Sequence, residues 1–392
     1  STGGEFVGIL SSNGGIGRRA VFRVQFLMEV QVQVLFRVQT IKLMDRKQTK
    51  KVFVGNIAIG GNSTISVQTM TKTKTWDIPA TISQINRIYE AGADIVRVTV
   101  NDEKAASAIK EIVENSPLPI VADIHFNHIF ALKSIEAGVA KVRINPGNIG
   151  NKQRIEAVLK AANEHNIPIR IGVNSGSLEK DILEKYGSPT AEALVESANR
   201  HVQIANDFNF DNLILAVKST SVVTTIEAYR KLSEATSYPL HLGVTEAGSV
   251  FSGTIKSSVG IGVLLSEGIG DTIRVSLTGA PETEVEAGIE ILSALGLRSK
   301  NIELISCPTC GRTEIDVIKI TNELEPLLKN IKKKLKVAVM GCVVNGPGEA
   351  KEADIGVACG KNEAVLFIKG EPIQKVKPNE IIPTLLAEIK KL

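Results

Sequence analysis

The chain has 392 residues, enough for one large domain plus a small one, or for two of middling size. Its apolar fraction of 43% and charged fraction of 22% are those of an ordinary globular protein, and 46 Lys plus Arg stand against 42 Asp plus Glu. That surplus is too slight and too scattered for a nucleic-acid binder, and no apolar run approaches the ~18 residues of a membrane span. The expectation is a cytoplasmic protein with neither partner, whose basic sites are local. Sparse aromatics (4%) and 33 Gly favour an α/β fold over a β-sandwich.

Residues 1–43 stand apart. Residues 1–17 are rich in Gly and Ser, and residues 21–39 roughly alternate apolar and polar side chains. Arg23, Glu29 and Arg37 interrupt any signal-peptide core, and no small-residue cleavage site follows. Arg enrichment is shared with organellar transit peptides, but strand-like alternation fits them poorly. The segment reads as a leader or vector-derived stretch outside the core, with the natural start near Met44. An extra edge strand or hairpin is the rival reading.

From Ser63 onward one pattern repeats: a β-branched run, a polar or Gly turn, then a stretch of helical period. Strands are expected at 65–70, 94–100, 119–124, 141–145, 167–173, 212–217, 239–244 and 271–277. Helices are expected at 78–91, 103–115, 129–137, 152–165, 190–207, 222–236, 255–267 and 282–295. Eight such units make a TIM (β/α)8 barrel over residues 44–298. An open doubly wound sheet would place a Gly fingerprint after its first strand, whereas Gly60 and Gly61 precede it. Residues 299–392 read as a small α+β domain, with strands at 302–306, 337–340, 355–358 and 364–368 and helices at 314–333 and 378–390. The run of Lys332, Lys333 and Lys334 is the solvated end of the first helix.

Barrel enzymes work at the C-terminal ends of their strands. Those ends carry Arg97 and Thr99, Asp123 and His125, Arg143 and Asn145, Arg170 and Asn174, and Lys218 and Ser219. The last two add His241, Thr245 and Glu246, then Arg274, Ser276 and Thr278. Four Arg and one Lys converging on one mouth would repel one another and carry an uncompensated desolvation cost. A small diphosphate or bisphosphate resolves this, because Arg forks suit phosphate oxygens. The competing reading pairs these cations with Asp123, Glu246 and other acids. His125 and His128, three apart, are a weak zinc pair because no third His is nearby.

All four Cys lie beyond residue 300, which is wrong for a disulfide framework and right for metal or redox chemistry. Cys307 and Cys310 form a C-x2-C turn at a strand end, and Cys342 follows another strand in a Gly-Pro-Gly loop. Three thiols on two strand-end loops point to a redox-active iron–sulfur cluster. Cys359 would complete an all-cysteine set, whereas Glu349 would supply a harder, more displaceable ligand. Position alone leaves both open. Other readings are a phosphosugar- or pterin-binding barrel enzyme with a structural zinc module, and a non-enzymatic ligand-sensing barrel.

The phrases "VQTMT", "GADIVRVTV", "VADIHF", "VRINPGNIG", "IRIGVNSGSL", "HLGVTEAG", "EGIGDTIRVSLT", "SCPTCGRTE" and "VAVMGCVVNGPGEA" span nearly all of residues 50–392. Together they closely resemble the IspG/GcpE family of 4-hydroxy-3-methylbut-2-enyl diphosphate synthases, in its bacterial two-domain form. The resemblance implies a [4Fe–4S] cluster held by Cys307, Cys310, Cys342 and Glu349. It implies reductive opening and dehydroxylation of 2-C-methyl-D-erythritol 2,4-cyclodiphosphate in non-mevalonate isoprenoid biosynthesis, with electrons from ferredoxin or flavodoxin. It places Arg97, Arg143, Arg170, Asn174 and Lys218 on the diphosphate, with Thr245, Arg274 and Ser276 lining the mouth. Glu246 is then a proton-donor candidate, and the enzyme a homodimer whose active site is shared between subunits. Three features depart from the family: "MTKTKT" stands for the usual "MTNTDT", Cys359 stands for a usual Gly, and the leader has no counterpart.

Overall fold

The computed structural model describes residues 45–144, 152–299, 301–329, 331, 333–342, 348 and 352–392. The expectation for residues 1–43, and those for Asn145 and Glu349, fall outside the described residues.

Two three-residue strands, β1 (Val52–Val54) and β2 (Ile57–Ile59), form an antiparallel hairpin unforeseen from the sequence. The barrel strands follow: β3 (Ser66–Met70), β4 (Ile95–Thr99), β5 (Ile120–Ile124), β6 (Lys141–Ile144) and β7 (Ile169–Asn174). β8 (Leu213–Lys218), β9 (His241–Leu242) and β10 (Thr272–Ile273) complete it. All neighbours pair in parallel, in the order β8-β7-β6-β5-β4-β3-β10-β9. The seam between β8 and β9 closes through one bridge, Leu215 to Leu240, with the Leu215 N–H donating to the Pro239 carbonyl at 2.9 Å. This is the expected TIM barrel.

Between the strands run α1 (Ile78–Glu90), α2 (Glu103–Asn115), α3 (His128–Glu136), α4 (Lys152–Glu164) and α5 (Lys180–Tyr186). α6 (Ala191–Asp207), α7 (Val222–Ala235), α8 (Val250–Ser266) and α9 (Pro281–Ala294) follow. Side-chain caps start several of them: Asp77, Asp102, Asn127, Thr190, Ser221 and Ser249 each accept an N–H from the first turn. The Ser249 cap starts α8 earlier than the expected 255, and α5 was missed as a single short segment ending on left-handed Gly187. β9 and β10 are shorter than expected, although the Arg274 N–H still donates to the Leu242 carbonyl at 3.0 Å.

Outside the sheet, Val, Ile, Leu and Ala of strands and helices form one apolar core. Inside, at the N-terminal end, Val52, Val54 and Ile59 of the hairpin pack on Ile95, Val121 and Ile214. The hairpin is therefore a plug that dries the bottom of the barrel.

The second sheet has the order β11 (Ile302–Ser306), β12 (Leu335–Met340), β13 (Ile355–Gly360), β14 (Glu363–Ile368) and β15 (Glu371–Val376). Its first three strands are parallel and its last three antiparallel; β15 was not expected. α10 (Val317–Leu328) and α11 (Ile381–Lys391) cover one face through Val317, Leu324, Leu328, Ile381, Leu385 and Ile389. α10 is shorter than the expected 314–333. The N–H groups of Thr313 and Glu314 are tied to the Cys310 and Gly341 carbonyls, so the helix begins only at its Asp316 cap. Lys333 caps a different helix from the one expected, donating to the Ile389 and Lys390 carbonyls at 3.0 and 2.7 Å.

If the hairpin is a packed plug, Ile59→Ala lowers unfolding free energy by about 2–4 kcal/mol in urea titrations while leaving anion affinity at the far end intact.

Candidate active site

Strand parity fixes what the barrel interior contains. Arg97, Asp123, Arg143, Arg170 and Lys218 all lie buried toward the C-terminal end, with Arg274 nearly so. In the β-ladder Arg143 stands beside both Asp123 and Arg170, and Asn174 beside Lys218. Asp123 is the bridging acid: one oxygen accepts from Arg143 Nη1 at 2.9 Å and the other lies 3.4 Å from Arg97 Nε. Arg143 Nη1 also lies 3.5 Å from His125 Nε2.

The second acid, Glu284 of α9, lies 3.4 Å from Arg274 Nη2 and is 1% exposed. It was not anticipated, yet it occupies a buried helical stripe with Gly288 and Ile291, where an acid stands out. Glu246, expected among the neutralising acids, joins none of these pairs among the described residues. It is exposed, with left-handed backbone at φ 50°, between half-buried Thr245 and the loop that leads to α8. Asn174 and Ser276 are half-buried.

The pairing reading is thus half right. Two carboxylates face five cations, and Arg170 and Lys218 have neither carboxylate within ion-pair distance. Arg170 is 2% exposed, and its Nε and Nη1 have no hydrogen-bond partner among the described residues. The Nε atoms of Arg97, Arg143 and Arg274 likewise make no hydrogen bond there. Burial, then Arg170, Arg274, Arg97 and Arg143, pushes Lys218 well below the usual lysine range. Burial lowers Arg97 to about 9 against the pull of Asp123. Burial alone would raise Asp123, but Arg97 and Arg143 outweigh it and hold it below the usual carboxylate range.

Two glycines make room for this crowd. A Cβ on Gly172 would stand 2.9 Å from Arg143 Nε, and one on Gly243 only 2.5 Å from Lys218 Nζ and 2.6 Å from the Arg274 carbonyl. Beneath lies Lys141, fully buried and donating to Gln68 Oε1 at 3.0 Å. Its parity with Arg143 marks it in the sequence, although it lies below the strand end.

The cysteines occupy the C-terminal edge of the second sheet. Cys307 follows β11 and donates its N–H to the Val339 carbonyl of β12 at 3.0 Å, and Cys342 comes two residues after β12 ends. Parallel pairing of β11 with β12 puts both loops at one edge. Thr309, at φ 67°, turns the C-x2-C loop, and Cys310 donates its N–H to Thr313 Oγ1 at 3.0 Å. Cys310 is exposed, Cys307 half-buried and Cys342 buried. Gly341 permits the close approach, since a Cβ there would lie 2.8 Å from Thr313 and Val317.

Cys359 is fully buried among the apolar side chains under α10 and α11. Burial, with Cys307 nearby, pushes its thiol up to about 12, so it stays protonated. Among the described residues no three His, Cys, Asp or Glu side chains converge closely enough to hold a metal ion. The soft thiolate donors and the shared loop edge nevertheless fit an iron–sulfur group.

Fold and site together define a TIM-barrel protein with a cation-rich mouth and a thiol-bearing α+β domain. Residues 49–289 match the GcpE TIM-barrel domain and residues 303–391 the GcpE protein C-terminal domain; the chain belongs to the GcpE family. It is 58% identical over 347 residues, 88% of this chain and 99% of the relative, to 4-hydroxy-3-methylbut-2-en-1-yl diphosphate synthase (flavodoxin) of Clostridium perfringens. The protein of the same name from Clostridium acetobutylicum is 58% identical over 346 residues, 88% of this chain and 99% of the relative. A solved dihydropteroate synthase from Xanthomonas albilineans covers 64% of this chain and 98% of its own at 14% identity and a TM-score of 0.46, too distant to bear on function.

An uncompensated buried cation predicts opposed effects on stability and binding. Lys218→Met raises ligand-free stability by about 1–2 kcal/mol in denaturant unfolding, yet weakens diphosphate binding at least about tenfold. The depressed pKa of Lys218 also sets the sign of pH dependence. An anion favours the protonated amine, so affinity falls as pH rises through that pKa. Calorimetry in buffers of different ionisation enthalpy would register proton uptake on binding.

Proposed function

We propose that this chain catalyses the reductive opening of 2-C-methyl-D-erythritol 2,4-cyclodiphosphate to 4-hydroxy-3-methylbut-2-en-1-yl diphosphate, a step of non-mevalonate isoprenoid biosynthesis. Two electrons and two protons enter, the ring C–O bond to phosphate breaks, and one hydroxyl leaves as water. The observation that carries this reading is the surplus of buried, unpartnered cation in the barrel mouth, in a chain of the GcpE family. The relatives' names specify a diphosphate product and flavodoxin, which favours flavodoxin over ferredoxin as donor and disfavours a zinc-stabilised barrel or a ligand sensor.

Arg170 and Lys218, with no carboxylate in ion-pair reach among the described residues, take the diphosphate charge, while Arg97 and Arg143 share it with Asp123. Asn174, Thr245 and Ser276 orient it by hydrogen bonds, and Arg274 closes the far side. Glu246, exposed at the mouth, holds the proton for the departing hydroxyl on its carboxyl. Cys307, Cys310 and Cys342, with Glu349 as the fourth and weakest ligand, would hold a [4Fe–4S] cluster. Such a group supplies electrons and a Lewis-acidic iron for the hydroxyl oxygen. A homodimer sharing its active site would exclude water from that chemistry.

The test is anaerobic purification with iron and sulfide analysis, followed by turnover with reduced flavodoxin. About four irons per chain and diphosphate-forming turnover are expected, with Arg170→Met lowering kcat/KM by about 100-fold. Cys359→Ser keeps its iron and Glu349→Ala loses activity. Colourless, zinc-loaded protein with full activity would end the proposal.

A further inference from the structure

Lys72 lies in the loop after β3, within the "MTKTKT" segment that departs from the resembled family. Its ammonium, only about one-third exposed, has three acceptors: the Leu277 carbonyl at 3.0 Å, the Gly279 carbonyl, and Glu284 Oε1 at 3.2 Å. Three donors are all that an ammonium has. Its backbone N–H is separately tied to Gln84 Oε1 of α1 at 2.7 Å, so the anchor itself does not swing.

Glu284 is saturated in the same way. Oε2 accepts from Thr69 Oγ1 at 2.6 Å and faces Arg274 Nη2 at 3.4 Å, while Oε1 accepts from the Leu277 N–H at 3.0 Å and faces Lys72. An exposed ion pair is worth little, but this acid is 1% exposed and four groups depend on it.

These contacts all grip one short loop, 277–279, directly after Arg274 and Ser276. Leu277 is held at both its N–H and its carbonyl, Gly279 at its carbonyl, and Thr278 donates its N–H to Gly248 at 2.9 Å. Gly248 lies two residues beyond Glu246, and the Thr245 N–H donates to Ser219, the neighbour of Lys218, at 3.2 Å. The rim of the mouth is thus laced from Lys72 round to Lys218.

We propose that Lys72 and Glu284 form a latch that fixes the 277–279 loop and so sets the direction in which Arg274 and Ser276 face the bound anion. Both are positioning residues: Lys72 donates to two rim carbonyls and is ion-paired with Glu284. The inference rests on reading the mouth as a diphosphate site. A neutral, shorter side chain at position 72 could not serve two carbonyls and a carboxylate together.

The test uses the full chain, purified anaerobically, with two readouts: amide hydrogen exchange across 277–279 and the affinity for inorganic pyrophosphate. Lys72→Met is expected to speed exchange at Leu277 and Thr278 about tenfold and weaken pyrophosphate about tenfold. Lys72→Arg, keeping charge and reach, restores most of both. Glu284→Gln moves both the same way, and the Lys72 variants, at a surface position, keep the test independent of whether it folds. Weaker pyrophosphate with unchanged exchange would mean that Lys72 merely adds charge. Faster exchange with unchanged affinity would mean that the loop is tied without orienting anything. Either outcome overturns the latch. Failure of wild-type protein to bind pyrophosphate would instead remove the diphosphate reading, while exchange still reports whether the loop is held.

Discussion

Buried positive charge is the constraint on which the rest of the molecule turns. A barrel interior ordinarily packs Val, Ile and Leu in layers; this one commits its upper half to guanidinium and ammonium groups, paired among the described residues with the acids Asp123 and Glu284. Gly172 and Gly243 are required because no Cβ fits beside Arg143 and Lys218. Asp123 and Glu284 offset part of the cost of holding such groups out of water, and on the proposed reading a bound anion offsets more, which ties stability to occupancy. The dense apolar shell between sheet and helices is what keeps the strands in place meanwhile.

The acids divide the cations into two sorts. Arg97, Arg143 and Arg274 are braced by carboxylates and hold their orientation before any ligand binds, whereas Arg170 and Lys218 have neither of those acids within ion-pair distance. Preorganised donors and unspent charge are complementary needs of a site that must both aim and attract.

Much of this was legible from strand parity. Arg97, Arg143, Arg170 and Lys218 could be placed at one mouth because alternate residues share a face and the barrel fixes which end is functional. Glu284 was not found because it comes from a helix, whose buried stripe was read only for its apolar members. The hairpin escaped because three-residue strands fall below any periodicity window. The fate of Thr313 and Glu314 was illegible for a different reason: their N–H groups are claimed by the cysteine loops, a tertiary demand that overrides helical preference and delays α10. Cys359 lies near Cys307 yet is packed into the apolar core, a placement that counting thiols in the sequence does not reveal.

The hairpin under the barrel has one more consequence. With Val52, Val54 and Ile59 seated on Ile95, Val121 and Ile214, the lower end is stoppered by hydrocarbon. The barrel is a cup and not a pipe. On the proposed reading, a molecule that enters past the arginines leaves by the same opening, so a spent one blocks its successor until it lets go. Traffic through the vessel is strictly one at a time, and the grip that captures a guest also governs how long it stays.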